Sequence, residues 1–291
     1  MTTAKIIFIH PPVVKPSEPP AGIARLSACL KANSVEHGVI DANLEGMLHL
    51  MRAFARTETP VGRWSRRACK NLEENLAALQ NPGTFCNQSR YSRAVMDIHR
   101  VLHTAGKPFG VQLSLSDYED GRRSPLRSVD LIQAAEQPEV NPFYSYFSAR
   151  LAQALEESPD FIGFSMNFLS QALCTMAMIG FVKKIHPRQK ILLGGSLATS
   201  WIRLSGRTNL FSGLVDRMVE GAGEEKLLAL LGMTPRREGP SADYDLLEKN
   251  RYFSPGFILP YSAAEGCWWR KCSFCPEKAE ANPYRPLSAS R

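Results

Sequence analysis

Three short apolar runs, each closing on a turn residue or a small polar one, restrict what this chain can become. They are Lys5-Ile-Ile-Phe-Ile-His10, Phe161-Ile-Gly-Phe-Ser-Met-Asn167 and Lys190-Ile-Leu-Leu-Gly-Gly195. Runs of this length, rich in branched residues and without apolar–polar alternation, read as parallel strands buried on both faces. Helical patterns fall between them. Ala21 to Lys31 carries Ile23, Leu26, Cys29 and Leu30 on one stripe, and Ser170 to His186 carries Leu173, Ala177, Phe181 and Ile185 before Pro187 stops it. Glu36 to Asp41 reads as a second strand, Met218 to Glu224 as the end of a fifth, and Glu224 to Leu231 as a last helix. Strands alternating with helices predict an α/β fold, a doubly wound parallel five-stranded sheet. The five prolines between Pro11 and Pro20 exclude helix from the first loop.

The rhythm breaks between residues 44 and 158. Helical patterns at Arg63 to Gln80 and Tyr91 to His103 flank the turn Asn81-Pro-Gly83, Val111 to Leu115 suits a short strand, and Asn141-Pro142 starts another helix. This block reads as a mostly helical insertion, either within the α/β domain or capping its ligand edge. The organisation expected is an α/β domain over 1–235, a linker over 236–255 and a separate segment over 256–291.

In such sheets ligands bind beyond the carboxyl ends of the strands. That edge carries His10-Pro-Pro12, Ser165, Asn167, Gly194, Gly195, Ser196, Glu220, Gly221 and Gly223. Glycines there let backbone approach a ligand closely, and exposed amides hold anionic or amide groups. A single Gly-Gly pair is ordinary turn chemistry, but its recurrence after several strands marks a binding edge.

The last segment holds Glu265-Gly-Cys-Trp-Trp-Arg-Lys-Cys-Ser-Phe-Cys275, a C-x4-C-x2-C spacing at Cys267, Cys272 and Cys275. Three thiolates on one loop suit an iron–sulfur cluster with one iron left without a protein ligand. Zinc would need a fourth ligand, and no His follows Cys267. Free or redox-active thiols remain a third reading.

The cysteine stretch resembles the cluster loop of radical S-adenosylmethionine (SAM) enzymes, with Phe274 as the aromatic residue before the last cysteine. The family's commonest first gap is three residues, and longer gaps with an aromatic pair such as Trp268–Trp269 occur among its relatives. Pro11-Pro12, Gly163-Phe-Ser-Met-Asn167, Leu193-Gly-Gly195 and Glu220-Gly-Ala-Gly-Glu224, in that order, look like the flavodoxin-like cobalamin-binding domain that precedes the barrel in B12-dependent members. The resemblance implies a [4Fe-4S] cluster on the three cysteines, SAM on the open iron with Phe274 near its adenine, and cobalamin against Ser165, Asn167, Gly194, Gly195, Ser196, Glu220, Gly221 and Gly223. The lower-ligand signature D-x-H-x-x-G is absent after the first strand. Asp97-Ile-His99 is followed by Leu102, not glycine, and reads as a surface pair.

Phe257 to Ala263 is expected as the first barrel strand. Only sixteen residues follow Cys275, whereas a barrel needs on the order of 200 more. The chain is therefore expected to be a truncated copy, a fragment or half of a split enzyme completed by a separately encoded barrel, and inactive alone. A stand-alone corrinoid module and a zinc or thiol regulator are the alternatives. The net charge of +7 comes with interleaved acids and no nucleic-acid motif, so no nucleic-acid partner is expected. No apolar run reaches the ~20 residues of a membrane span, and the N-terminus is not a signal peptide. Scattered cysteines and an oxygen-sensitive loop favour the cytoplasm.

Overall fold

The computed structural model describes residues 5–57, 62–234, 242–273 and 284–286. The chain runs β1 (Ile6–Ile9), α1 (Ala21–Ala32), β2 (His37–Ile40), α2 (Ala42–Thr57), α3 (Arg63–Lys70), α4 (Leu72–Leu79), α5 (Pro82–Phe85) and α6 (Gln88–Gly106). It continues through the hairpin β3 (Val111–Leu113) and β4 (Tyr118–Asp120), then α7 (Ser128–Glu136), α8 (Tyr144–Glu156), β5 (Phe161–Ser165) and α9 (Leu169–Ile185). β6 (Lys190–Gly194), α10 (Ser196–Ser205), β7 (Arg217–Met218), α11 (Glu224–Leu230) and a two-residue bridge of β8 (Ala264–Glu265) with β9 (Arg285–Pro286) follow.

Five strands form one parallel sheet in the order β2-β1-β5-β6-β7. With the antiparallel β3–β4 hairpin set aside, that is the 2-1-3-4-5 order of an open doubly wound sheet, whose strand order reverses between β1 and its third strand.

The two-residue period of the strands sorts the core. Ile6, Phe8 and Leu192 face Ile23 and Leu30 of α1 and Leu227 and Leu228 of α11. Ile7, Ile9, Ile162, Phe164, Ile191 and Leu193 face the larger core built with α2, α8 and α9. Helices thus cover both faces, which is why these strands are apolar throughout rather than alternating. In α9 every residue from Gln171 to Val182 is buried. A helix apolar on all sides must be enclosed on all sides, and α7 and α8 supply the outer cover. α7 comes so close that a Cβ at Gly180 would lie 1.8 Å from the Ala135 carbonyl oxygen.

The insertion therefore extends the core on the α9 side, with Met47, Met51, Leu79, Ile98, Leu102 and Phe147 in one continuous cluster with the strands. The helix expected over Arg63 to Gln80 is split at Asn71 into α3 and α4. Asp97 is not a surface residue: it is 4% exposed and bonds Arg100 at 2.7 Å, with Arg67 at 3.8 Å. Part of the stretch expected as a linker packs down as well. Tyr244 and Leu247 lie against Ala24 of α1, and Tyr252 and Phe253 join the main core. Phe257 to Ala263 forms no strand. Its apolar composition suits one, but a strand exists only as part of a ladder, and no neighbour pairs with it among the described residues. No helix among the described residues is long and apolar enough to cross a membrane.

Candidate functional site

The carboxyl edge of the sheet is built around Gln171. Its side-chain oxygen accepts from the Asn167 and Phe168 amides at 2.8 and 3.1 Å, and its Nε2 donates to the Pro11 carbonyl at 2.7 Å. One wholly buried side chain thereby fixes the exit of β5, the start of α9 and the loop after β1. Ser170 adds a bond from its hydroxyl to the Val13 carbonyl.

Ser165, Asn167, Gly194, Gly195 and Ser196 come together here. Ser165 and Gly194 are register partners, and the Met166 amide donates to the Gly194 carbonyl. Asn167 donates to the Ser165 hydroxyl at 3.3 Å, and its carbonyl oxygen accepts from the Ser196 amide at 3.0 Å, satisfying a donor at the start of α10. Gly195 has φ +102, and a Cβ there would lie 2.3 Å from the Met166 carbonyl oxygen. Only glycine lets the β6–α10 turn pass this close.

Thr199 links this cluster to the next strand, donating to the Gly195 carbonyl and accepting from the Gly221 amide at 2.9 Å. The Glu220 carboxylate accepts from Arg203 Nε at 2.6 Å, which holds its carboxyl below the ordinary range, and its carbonyl accepts from Lys226. Gly223 packs against Leu26 of α1 at the start of α11. Glu220 and Gly221 are thus bonded to α10, while the Glu220 side chain stays partly exposed at the edge.

The β1–β2 half of the edge is closed. Asn43 pairs with both the amide and the carbonyl of Val14 at 2.9 Å, pinning the proline-rich loop. Tyr252 donates to Asp41 Oδ2 at 2.7 Å, the Phe253 amide donates to the Pro16 carbonyl at 2.8 Å, and Gln80 donates to the Tyr252 carbonyl. Burial and the Asp41 charge push the Tyr252 hydroxyl pKa up.

Beneath this cover His10 is 7% exposed, and burial pulls its imidazole below the ordinary value against the opposing pull of Asp41. Among the described residues its Nδ1 has no hydrogen-bond partner, nor do the buried hydroxyls of Ser17 and Ser200. These three orphaned atoms belong to the end of β1, the loop after it and the first half of α10. Buried polar atoms without partners call for a ligand or ordered water.

The cysteine loop is separate from that edge in sequence. Cys267 and Cys272 are half-buried free thiols. Two left-handed residues, Gly266 at φ +69 and Arg270 at φ +48, curl the backbone around them, and Arg270 Nε donates to the Cys267 carbonyl at 3.2 Å. Trp268 and Trp269 meet edge-on at 5.4 Å and are 72% and 49% exposed, with the Lys271 ammonium over the Trp269 ring. Cys275 and Phe274 lie outside the described residues. Among the described residues no three His, Cys, Asp or Glu side chains gather as a metal site.

Sequence reasoning located the polar residues of the edge but not Gln171, Thr199 or the Asp41–Tyr252 pair. Gln171 falls inside an apolar helix pattern, where a polar residue at the first turn was the available signal. Tyr252 carried none. Comparison with protein-family models, curated proteins and solved structures finds no match for this chain.

Proposed function

We propose that this protein is a B12-binding radical SAM protein, holding cobalamin at the carboxyl edge of its sheet and a [4Fe-4S] cluster on Cys267, Cys272 and Cys275. The observation that carries the reading is a sheet ordered β2-β1-β5-β6-β7, with Ser165, Asn167 and Ser196 at one edge, on a chain that also bears C-x4-C-x2-C. Sheets of that order bind ligands outside the carboxyl ends of their strands. The orphaned atoms of His10, Ser17 and Ser200 fit an edge made to meet a polar ligand.

On this reading Asn167 orients the Ser165 hydroxyl, Gly194 and Gly195 admit the cofactor against backbone, and Gln171 holds the three loops in register. Cys267 and Cys272, with Cys275, supply the soft thiolate donors that iron–sulfur clusters take, and Gly266 and Arg270 turn the loop that carries them. When bound, the cluster, SAM and the corrinoid supply one-electron and methyl-carrier chemistry. Phe274 serves the adenine of SAM. The exposed Phe257, Ile258, Leu259, Tyr261, Trp268 and Trp269 are the surface against which the remainder of a radical SAM barrel packs. A thiolate-held cluster fits a reducing compartment such as the cytoplasm.

Ser196→Trp tests the edge. Ser196 is exposed and contributes its backbone amide to the fold, so the variant keeps its far-UV circular dichroism while an indole fills the approach to Gly195. Loss of hydroxocobalamin retention through a desalting column is expected. Retention equal to the parent protein would remove the edge as the corrinoid site.

A further inference from the structure

A cavity of about 190 Å³ lies away from the cysteines, where residues 251–253 meet the insertion. Leu48 and Arg52 of α2, Glu73, Leu76 and Ala77 of α4, Gln80 just after it, and Arg251 and Phe253 line it. Its volume is well above what one water requires and below the ~300 Å³ at which drug-sized pockets begin. A small organic molecule suits it, and a nucleotide does not.

The lining separates into a floor and a rim. Leu48, Leu76 and Phe253 are buried apolar residues. The rim carries two guanidinium groups and one carboxylate. Arg52 grips both oxygens of Glu73 through Nε and Nη2, at 2.7 and 2.9 Å. That fork fixes the guanidinium plane, cancels the Glu73 charge and leaves Nη1 outside the pair. Arg251 uses Nη1 on Glu248, which lies outside the cavity, and among the described residues keeps Nε and Nη2. Within the lining Arg251 is thus the one charged group whose counter-ion, Glu248, stands outside the cavity. Gln80, by donating to the Tyr252 carbonyl, holds residues 251–253 against α4.

We infer that this cavity is a binding site for a small organic monoanion, a carboxylate on a planar apolar body. The apolar floor offers water few partners, so a flat ring displaces poorly bonded water there. The carboxylate meets Arg251 in the planar, paired geometry that guanidinium groups offer and ammonium groups do not. This site does not rest on the cofactor reading: Gln80 and Phe253 also help close the β1–β2 half of the edge, but none of the residues proposed to meet cobalamin or the cluster lines the cavity.

Saturation-transfer NMR and calorimetry with benzoate, with benzyl alcohol as the uncharged control, test the inference on the full chain. Benzoate is expected to bind and benzyl alcohol to bind far more weakly. Arg251→Gln is expected to weaken benzoate about tenfold to a hundredfold, the range a charge-assisted hydrogen bond supplies. Among the described residues Arg251 pairs with one exposed glutamate, so this variant keeps the parent's thermal stability. Ala77→Trp, on the exposed side of α4, fills the mouth and is expected to abolish binding. Equal binding of the two probes, benzoate binding that survives both substitutions, or no binding by either probe would each overturn the site.

Discussion

Gly195→Ala is the sharpest perturbation of the candidate edge. At φ +102 and ψ 172 the residue sits in backbone space that side-chain-bearing residues avoid, at a cost of roughly 1–3 kcal/mol. The added methyl also meets the Met166 carbonyl oxygen, carbon and nitrogen at 2.3, 2.7 and 2.8 Å. These are backbone atoms of the β5 exit and cannot rotate away, and overpacking of this kind costs about 1–3 kcal/mol more. The stiffer unfolded chain returns about 0.4–1 kcal/mol. The expected net loss is about 3 kcal/mol, a combination of these three contributions. Gly213→Ala is the control. It has φ +91 but nothing within 4 Å of a Cβ, so backbone strain acts alone, and about 1 kcal/mol is expected. Urea unfolding followed by circular dichroism measures both. If Gly195→Ala costs no more than Gly213→Ala, the close approach that defines this turn is wrong.

Two further outcomes follow from the same geometry. Tyr252→Phe removes the hydroxyl bonded to buried Asp41 Oδ2 and is expected to cost about 2 kcal/mol, because an acceptor is left buried without its donor; a melting temperature equal to the parent's would show that residues 242–256 are held by other contacts. Burial lowers the His10 pKa in the folded state, so the unfolded chain binds more protons below the ordinary value of about 6.5. Stability is then complete above that pH and falls as pH drops from it towards the folded value. His49 and His99 share the direction but are less buried. His10→Gln is expected to flatten the loss measured by urea unfolding between neutral and mildly acidic pH, and an unchanged slope would contradict a buried neutral imidazole.

What the sequence reveals depends on whether a segment has a period to read. β1, β5 and β6 announce themselves because strands covered on both faces must be apolar throughout, and α9 through Leu173, Ala177, Phe181 and Ile185 at helical spacing, although its stretch from Gln171 to Val182 is enclosed on all sides. α2 is hidden by Gly46, which interrupts a helical pattern yet lies where a Cβ would come within 3.3 Å of the rings of Tyr146 and Phe143. The strand placed at Met218 to Glu224 stops at Met218, because Glu220 and Gly221 turn aside to bond α10. Tyr252 and Phe253 lie in irregular chain, and burial without periodicity leaves no pattern. The site divides similarly. Small polar residues after strand ends pointed to Ser165, Asn167 and Ser196, whereas the long-range bonds of Gln171 and Tyr252 depend on segments brought together only by the fold.

The most direct test of the account is anaerobic reconstitution with iron, sulfide and hydroxocobalamin, followed by desalting and an absorption spectrum of the parent protein beside a variant with Cys267, Cys272 and Cys275 all changed to Ala. The account predicts a retained corrin band in both proteins, and bound iron with cluster absorbance only in the parent. A parent protein that emerges with no corrin band, or a variant that keeps the cluster absorbance, would contradict it.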